Sequence, residues 1–156
     1  MKYYRVQRNA GFGLLELMIT LVVAALLVSI AFPAYDQQLD RAKQRKAIGD
    51  IGWISLEIGK YQLRNNNALP DTLADLGAEM PLDPWDRPYQ YVNIPAAGAG
   101  SGLFRKDKNL NPLNTDFDLY SLGKDGASSG PLSAQASRDD IVRANNGAYI
   151  GLGEDY

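Results

Sequence analysis

A single carboxylate stands inside the most apolar part of the chain. Glu16 lies five residues after Gly11, in a stretch that carries no other charge as far as Tyr35. A charge in the core of a lipid bilayer costs at least ~2.5 kcal/mol, so such a group normally has a partner and a function. We therefore take Glu16 as a candidate functional residue that needs a cationic partner.

The residues ahead of this stretch form a short basic leader. Residues 1–11 contain three cations and no acid, and they end on Gly11, which is followed by Phe12. The arrangement of Gly11, Phe12 and Glu16 resembles the class III signal of type IV pilins and of type II secretion pseudopilins. The resemblance implies cleavage after Gly11, methylation of the new amino terminus at Phe12, and a role for Glu16 in subunit assembly.

Two other interpretations of this segment stay open. An ordinary secretory signal has a basic region, an apolar region and a site of small residues, and residues 29–31 (Ser-Ile-Ala) would serve as that site. A plain transmembrane anchor needs only about 20 apolar residues, with the basic leader held in the cytoplasm. A lipoprotein is excluded because the chain has no cysteine to acylate.

Composition limits the remaining functional classes. The chain has 156 residues, a net charge of −2, no histidine and no cysteine. This charge gives no electrostatic reason to expect nucleic-acid binding, and the commonest general base and metal ligand is missing. No nucleophile elbow or phosphate-binding glycine loop appears. We expect no enzyme, although a membrane-tethered periplasmic enzyme or binding module stays an alternative if polar groups converge in the fold.

The pattern of apolar residues predicts a long helix over residues 12–64, with a kink or local melting over residues 29–33 because of Pro33. Its second half is amphipathic, since apolar residues recur at spacings of three and four. This predicted stripe consists of Ala47, Ile51, Ile54, Ile58 and Tyr61.

Residues 69–77 are typical of a short capped helix, and alternating apolar residues predict three strands. The predicted strands are residues 89–94, 116–122 and 148–152, and residues 95–115 between them are expected to form a surface loop. The predicted fold is α+β, a long helix on a small antiparallel sheet. Its predicted regions are a leader (1–11), a membrane or filament-core helix (12–34) and a globular head (35–156).

A second resemblance covers the C-terminal part of the chain. Residues 83–91 and 118–126 are similar to the Asp-Pro-Trp turn and to the Asp-Leu-Tyr-Ser strand with its Asp-Gly loop in the major pseudopilin of type II secretion. One departure lies at Asp86, where the family pattern has glycine. The absence of cysteine favours a pseudopilin over the many type IV pilins that close this region with a disulfide.

The resemblance implies one calcium ion in the loop that follows the Asp-Gly pair. Calcium binds six to eight oxygens from carboxylates and backbone carbonyls, which suits this acidic segment. The resemblance implies Asp125, Asp140 and the Leu122 carbonyl as ligands. Asp139 would add a third carboxylate, and Ser128 or Ser129 would add a backbone or hydroxyl oxygen. The alternative is an ordinary turn, with Asp139 capping a helix over residues 141–145.

Taken together, these features predict a structural subunit of a type II secretion pseudopilus. The implied partners are further copies of the chain, other pseudopilins, a prepilin peptidase that also methylates, and the inner-membrane assembly platform. The expected location is the inner membrane, with a periplasmic head that joins a periplasmic filament. A type IV pilus subunit for adhesion, motility or DNA uptake is the alternative.

Overall fold

The computed structural model describes residues 13–98, 102, 104–108 and 110–156. The chain divides into two compact units, residues 1–39 and residues 40–156. We refer to the second unit as the head. The observed architecture is α+β, as predicted, with one long helix and a four-stranded antiparallel sheet.

Helix α1 spans Leu14–Arg64 and continues through Pro33. The local melting expected over residues 29–33 is therefore absent, while the predicted end of the helix at Arg64 is confirmed. Three asparagines follow it, and Asn66 and Asn67 have positive φ angles of 52° and 66°. Asparagine tolerates this left-handed conformation better than most residues, so the sequence stops the helix here.

The sheet has the order β1-β2-β3-β4, with antiparallel pairing throughout. Its strands are β1 (Gln90–Asn93), β2 (Phe117–Ser121), β3 (Ile141–Ala144) and β4 (Tyr149–Leu152). A one-turn helix α2 (Ile94–Ala97) follows β1 directly, with its N-terminus capped by the Asn93 side chain. The predicted strands at 89–94, 116–122 and 148–152 are confirmed as β1, β2 and β4.

The two faces of the sheet pack against different partners. One face meets the buried stripe of α1, in which Ala47, Ile51, Ile54 and Ile58 are fully buried and Tyr61 is partly buried. The other face contributes Val142 to a second apolar cluster. The members of this cluster are Leu113, Leu132, Val142 and Ala144, with Tyr120 and Tyr149 against them. The alternation along β2 and β3 thus separates a helix-facing side from a loop-facing side.

Two predictions about the head are wrong. The alternative helix over residues 141–145 is the central strand β3, since its four residues are all buried and pair on both sides. The segment predicted as a surface loop is buried in part, because Phe104, Arg105 and Leu113 are each less than a tenth exposed. This segment covers the loop-facing side of the sheet, which would otherwise expose its apolar residues.

The short elements follow their local sequence signals. A single 3₁₀ turn, Leu73–Leu76, lies within the predicted helix at 69–77. Thr72 and Asp75 form a reciprocal capping box at its start, and Gly77 ends it at a φ of 68°. Glycine has no Cβ to clash in that left-handed conformation, which explains the stop.

Candidate assembly helix and C-terminal loop

The predicted processing site at Gly11 and Phe12 lies outside the described residues. Glu16 is in the first turn of α1, where its backbone N–H donates to the carbonyl of Gly13 at 3.0 Å. No described residue pairs or hydrogen bonds with its carboxylate. Among the described residues, the Glu16 carboxylate therefore has no charge partner and no hydrogen-bond donor.

The helix around Glu16 exposes almost only apolar side chains. Leu14 is 78% exposed, Ile30 is 73% exposed, and the intervening large apolar residues are all about half exposed or more. Among the described residues, one helix is long and apolar enough to cross a membrane, and it is α1. This half of the helix is suited to anchor the chain in a lipid bilayer.

The implied calcium ligands lie in the C-terminal loop, which we define as residues 122–140. The structure places them in one loop but gives their oxygens different partners. Asp140 is fully buried, and its Oδ2 accepts bonds from the Ser128 hydroxyl at 2.6 Å and from Arg105 Nη2 at 2.6 Å. The Leu122 carbonyl accepts a bond from the backbone N–H of Gly126 at 3.2 Å.

The other two carboxylates close the backbone of the loop. Asp139 Oδ2 accepts a bond from the Asp125 backbone N–H at 2.9 Å, and Asp125 Oδ1 accepts one from Ala127 N–H at 2.7 Å. Gly123 has a φ of 63°, and a Cβ there would come within 2.2 Å of the Asp139 carbonyl oxygen. In the part of the chain that the structure describes, no three acidic groups converge as metal ligands do.

The residues present do not fit a calcium ion in this arrangement. The one buried carboxylate of the set, on Asp140, already pairs with the guanidinium of Arg105. One oxygen each of Asp125 and Asp139 accepts a hydrogen bond from a backbone N–H. Calcium needs six to eight oxygens around one point. Calcium binding itself stays a prediction from the resemblance.

Sequence reasoning missed Arg105 as a site residue. It lies in the segment predicted to be a surface loop, yet only 2% of it is exposed. Its backbone N–H donates to Asp118 Oδ2 at 2.7 Å, and its guanidinium carbon lies 4.4 Å from the centre of the Tyr120 ring. No local pattern signals this burial, because the partners come from β2 and from the C-terminal loop.

Burial also shifts the acidic groups around Arg105. It raises the pKa of the Asp118 carboxyl, against the opposing effect of hydrogen bonds from the Arg105 backbone and from Asn114. It likewise raises the pKa of Asp140, although the Ser128 hydroxyl and the Arg105 charge favour the ionised form. Both carboxylates accept hydrogen bonds from protein donors.

The turn at Asp86 has a left-handed conformation that glycine adopts readily. Asp86 has a φ of 64°, a left-handed conformation that aspartate tolerates better than bulkier residues. Asp83 fixes this turn, since its Oδ1 accepts from the N–H groups of Trp85 and Arg87 and its Oδ2 from the Ser121 hydroxyl. Arg87 Nη1 then reaches the Gly123 carbonyl at 2.8 Å and ties the turn to the C-terminal loop.

Comparison with known proteins agrees with both resemblances. Residues 6–32 match the model of the prokaryotic N-terminal methylation motif. The type II secretion system core protein G of Pseudomonas aeruginosa is 30% identical over 145 residues, which cover 80% of this chain and 89% of that protein. The core protein G of Dickeya chrysanthemi is 30% identical over 151 residues, covering 92% of both.

The core protein G of Pectobacterium carotovorum is also 30% identical, over 142 residues that cover 88% of this chain and 86% of that protein. No solved structure matches the chain. The agreement extends over the methylation motif, α1 and the head. The chain therefore belongs to the family of type II secretion system core protein G, the major pseudopilin.

Proposed function

We propose that this chain is a structural, non-catalytic subunit that polymerises into the pseudopilus of a type II secretion system. The observation that carries the proposal is the exposed apolar half of α1 with Glu16 in its first turn. Family membership supplies the cellular process, since the matched relatives are named as core proteins of this secretion system.

The exposed apolar surface of α1 is covered by different partners before and after assembly. The large apolar side chains from Leu14 to Phe32 are exposed. Removing apolar surface from water is favourable by about 25 cal/mol for each Å². Before assembly the bilayer covers this surface, and in the filament the same helices of neighbouring copies cover it. Polymerisation then exchanges lipid contacts for helix contacts without exposing the surface to water.

Glu16 sets the axial position of each subunit relative to its neighbours. We assign its partner as the amine of Phe12 on a neighbouring copy, which is freed by cleavage after Gly11. An unpaired carboxylate is costly in an apolar core, so copies that place an amine beside Glu16 are favoured over copies at other staggers. The pair therefore selects the axial step between subunits as well as contributing to their affinity.

The basic leader sets the orientation of the chain in the membrane. The basic leader, residues 1–11, keeps the amino terminus on the cytoplasmic side, where a prepilin peptidase would cleave and methylate the chain. The head then faces the periplasm, ready for the other pseudopilins. The inner-membrane assembly platform would move each mature subunit from the bilayer into the filament.

The proposal is tested in cells that express the chain with a prepilin peptidase and the secretion assembly proteins. We expect sheared filaments made of a subunit whose mass corresponds to a start at Phe12 with one methyl group. A mature chain that begins at Phe32, after the Ser-Ile-Ala site, would show an ordinary signal peptide and a released head. Expression without the peptidase is the matched control and should give an uncleaved, unassembled chain.

A further inference from the structure

The guanidinium of Arg105 is a buried cation inside the head. The Arg105 side chain is 3% exposed and the Asp140 side chain is fully buried, with Nη2 and Oδ2 2.6 Å apart. Charged groups are almost never buried to this extent unless they are paired and hydrogen bonded. The polar groups around Arg105 therefore form a cation site, and the cation in it is the chain's own guanidinium.

Three kinds of oxygen surround this cation. Nη1 donates to the Ser128 hydroxyl and to the Ser129 carbonyl, the latter at 2.7 Å, while Nη2 donates to the Asp140 carboxylate. The Ser128 hydroxyl also donates to Asp140 Oδ2. Hydroxyl, carbonyl and carboxylate oxygens from one turning loop are the ligand types that a hard divalent cation takes. Here a planar guanidinium takes them instead.

Backbone hydrogen bonds hold Arg105 against the loop. The N–H of Lys106 donates to the Gly130 carbonyl at 3.0 Å, and the N–H of Leu132 donates to the Lys106 carbonyl at 2.9 Å. The Tyr120 ring lies under the guanidinium at 4.4 Å. The arginine is thus held from both ends of its side chain, and its contacts with the C-terminal loop are part of the fold of the head.

Only one buried carboxylate oxygen of the loop remains for a second cation. Asp140 Oδ1 is buried and accepts no hydrogen bond from a described residue. Among the described residues it is the only carboxylate oxygen of the loop that is both buried and without a donor, since Asp125 and Asp139 are more exposed and one oxygen of each accepts from a backbone N–H. A divalent ion beside Asp140 would also lie close to the fixed positive charge of Arg105, and like charges in a poorly solvated interior repel strongly.

We propose that the Arg105 guanidinium is the resident cation of the C-terminal loop, and that the head of this chain folds and keeps its stability without calcium. Asp140 is then a structural partner of Arg105 rather than a metal ligand. Filaments of this chain would accordingly not depend on calcium for the shape of their subunits.

The first test measures calcium on the unaltered full chain in detergent. Both tryptophans, Trp53 and Trp85, lie in the head, so their fluorescence reports its unfolding. We expect melting temperatures in chelator and in millimolar calcium to agree within about 1 °C, and equilibrium dialysis to find no bound calcium. A site occupied at a hundredfold excess over Kd would raise the melting temperature by roughly 5–10 °C, and that result would overturn the proposal.

The second test is a double-mutant cycle on Arg105 and Asp140. We expect Arg105→Met to lower the melting temperature by about 10 °C, because it leaves a buried carboxylate unpaired. Asp140→Asn should cost several degrees in the unaltered chain and much less in the Arg105→Met background. Arg105→Lys, which keeps the charge but not the planar fork, replaces Arg105→Met in the cycle if the methionine variant does not fold.

Arg143→Met supplies the matched control. Arg143 is equally buried, pairs with Asp116 at 2.6 Å and lies over the Phe117 ring, but it makes no bond to the C-terminal loop. Asp140→Asn should cost the same in the Arg143→Met background as in the unaltered chain. Additive costs of Arg105 and Asp140 would refute the pairing. Because these measurements need no filament, their failure would leave the proposed function standing.

Discussion

Helix α1 has two halves that differ in what covers their apolar side chains. Within the head, Ile51, Ile54 and Ile58 are fully buried against the sheet. In the first unit, Leu26 and Ile30 are 61% and 73% exposed. The first set is covered by the chain itself, whereas the second is uncovered in the described part of the chain. Under the proposed function, lipid or other copies of the chain cover the second set, so one helix contributes both to the fold of the head and to assembly.

The patterns of the two halves reflect these tasks. The stripe in the head recurs at spacings of three and four and leaves other faces polar, as expected for a helix with one buried side. From Leu14 to Phe32 the apolar residues surround the helix and only Glu16 is charged. A helix that is apolar on every side belongs in a membrane or in a helical core.

The acidic groups of the two units differ in their hydrogen-bond partners. In the head, Asp83, Asp116 and Asp140 each have hydrogen-bond donors from other segments of the chain. Burial would raise the pKa of Asp116, but the hydrogen bonds and charge of Arg143 outweigh it, so this pKa is lowered. Glu16 has no such donor among the residues that the structure describes. Under the proposed function, the partner of Glu16 comes from outside the chain.

The largest expected effect concerns this outside partner. Glu16→Ala should abolish sheared filaments completely, because subunits lose the group that selects their stagger. Insertion, cleavage and the melting of the head should stay unchanged. Glu57→Ala is the matched control, since Glu57 pairs with Lys60 within the head and this variant should assemble normally. Filaments at unaltered levels from the Glu16 variant would disprove the assignment.

A second prediction contrasts the apolar residues of the two halves. Ile54→Ala should lower the free energy of unfolding of the head by about 2–5 kcal/mol, because it removes fully buried methyl groups and leaves a cavity. Leu26→Ala, at an exposed position in the first unit, should change it by less than about 0.5 kcal/mol. Denaturant titrations of the full chain in detergent, followed by tryptophan fluorescence, measure both. Equal losses would contradict the division of α1.

The smallest effect concerns pH and the contact between α1 and Tyr89, the residue before β1. Burial, together with the hydrogen bond from the Tyr89 hydroxyl to Asp50 Oδ2 at 2.9 Å, raises the pKa of Tyr89 far above its ordinary value. The raised pKa means that the stability from Tyr89 is fully present below about pH 10 and is lost as pH rises further. Each such group contributes a loss of about 1.4 kcal/mol per pH unit.

Tyr89→Phe should therefore flatten the alkaline loss of stability by that amount, while Tyr91 maintains part of the slope because burial also raises its pKa. Tyr35→Phe is the control, since Tyr35 is 69% exposed and lies in the first unit. Unfolding titrations between pH 9 and pH 11 would separate the variants. An unchanged slope in Tyr89→Phe would show that Tyr89 ionises without opposing the fold.

Much of the fold could be predicted because its signals are local. The stripe from Ala47 to Ile58, the three alternating strands and the short capped turn within residues 69–77 each depend on residues a few positions apart. Strand β3 could not be predicted in this way, since four residues that include Arg143 carry no alternation of polar and apolar types. Pairing with β2 and β4 is what makes this segment a strand.

The amino acid sequence by itself determined the long helix, its change from an all-round apolar half to an amphipathic half, the isolated Glu16 and the family. These features depend on composition and spacing along one segment. Only the tertiary structure decided the environment of the C-terminal loop, where Arg105 meets Ser128 and Asp140 although they lie 23 and 35 residues further along the chain. A carboxylate in a sequence is equally compatible with a metal ion, a backbone amide or an arginine, and its partner is set by which distant group the fold brings within hydrogen-bonding distance.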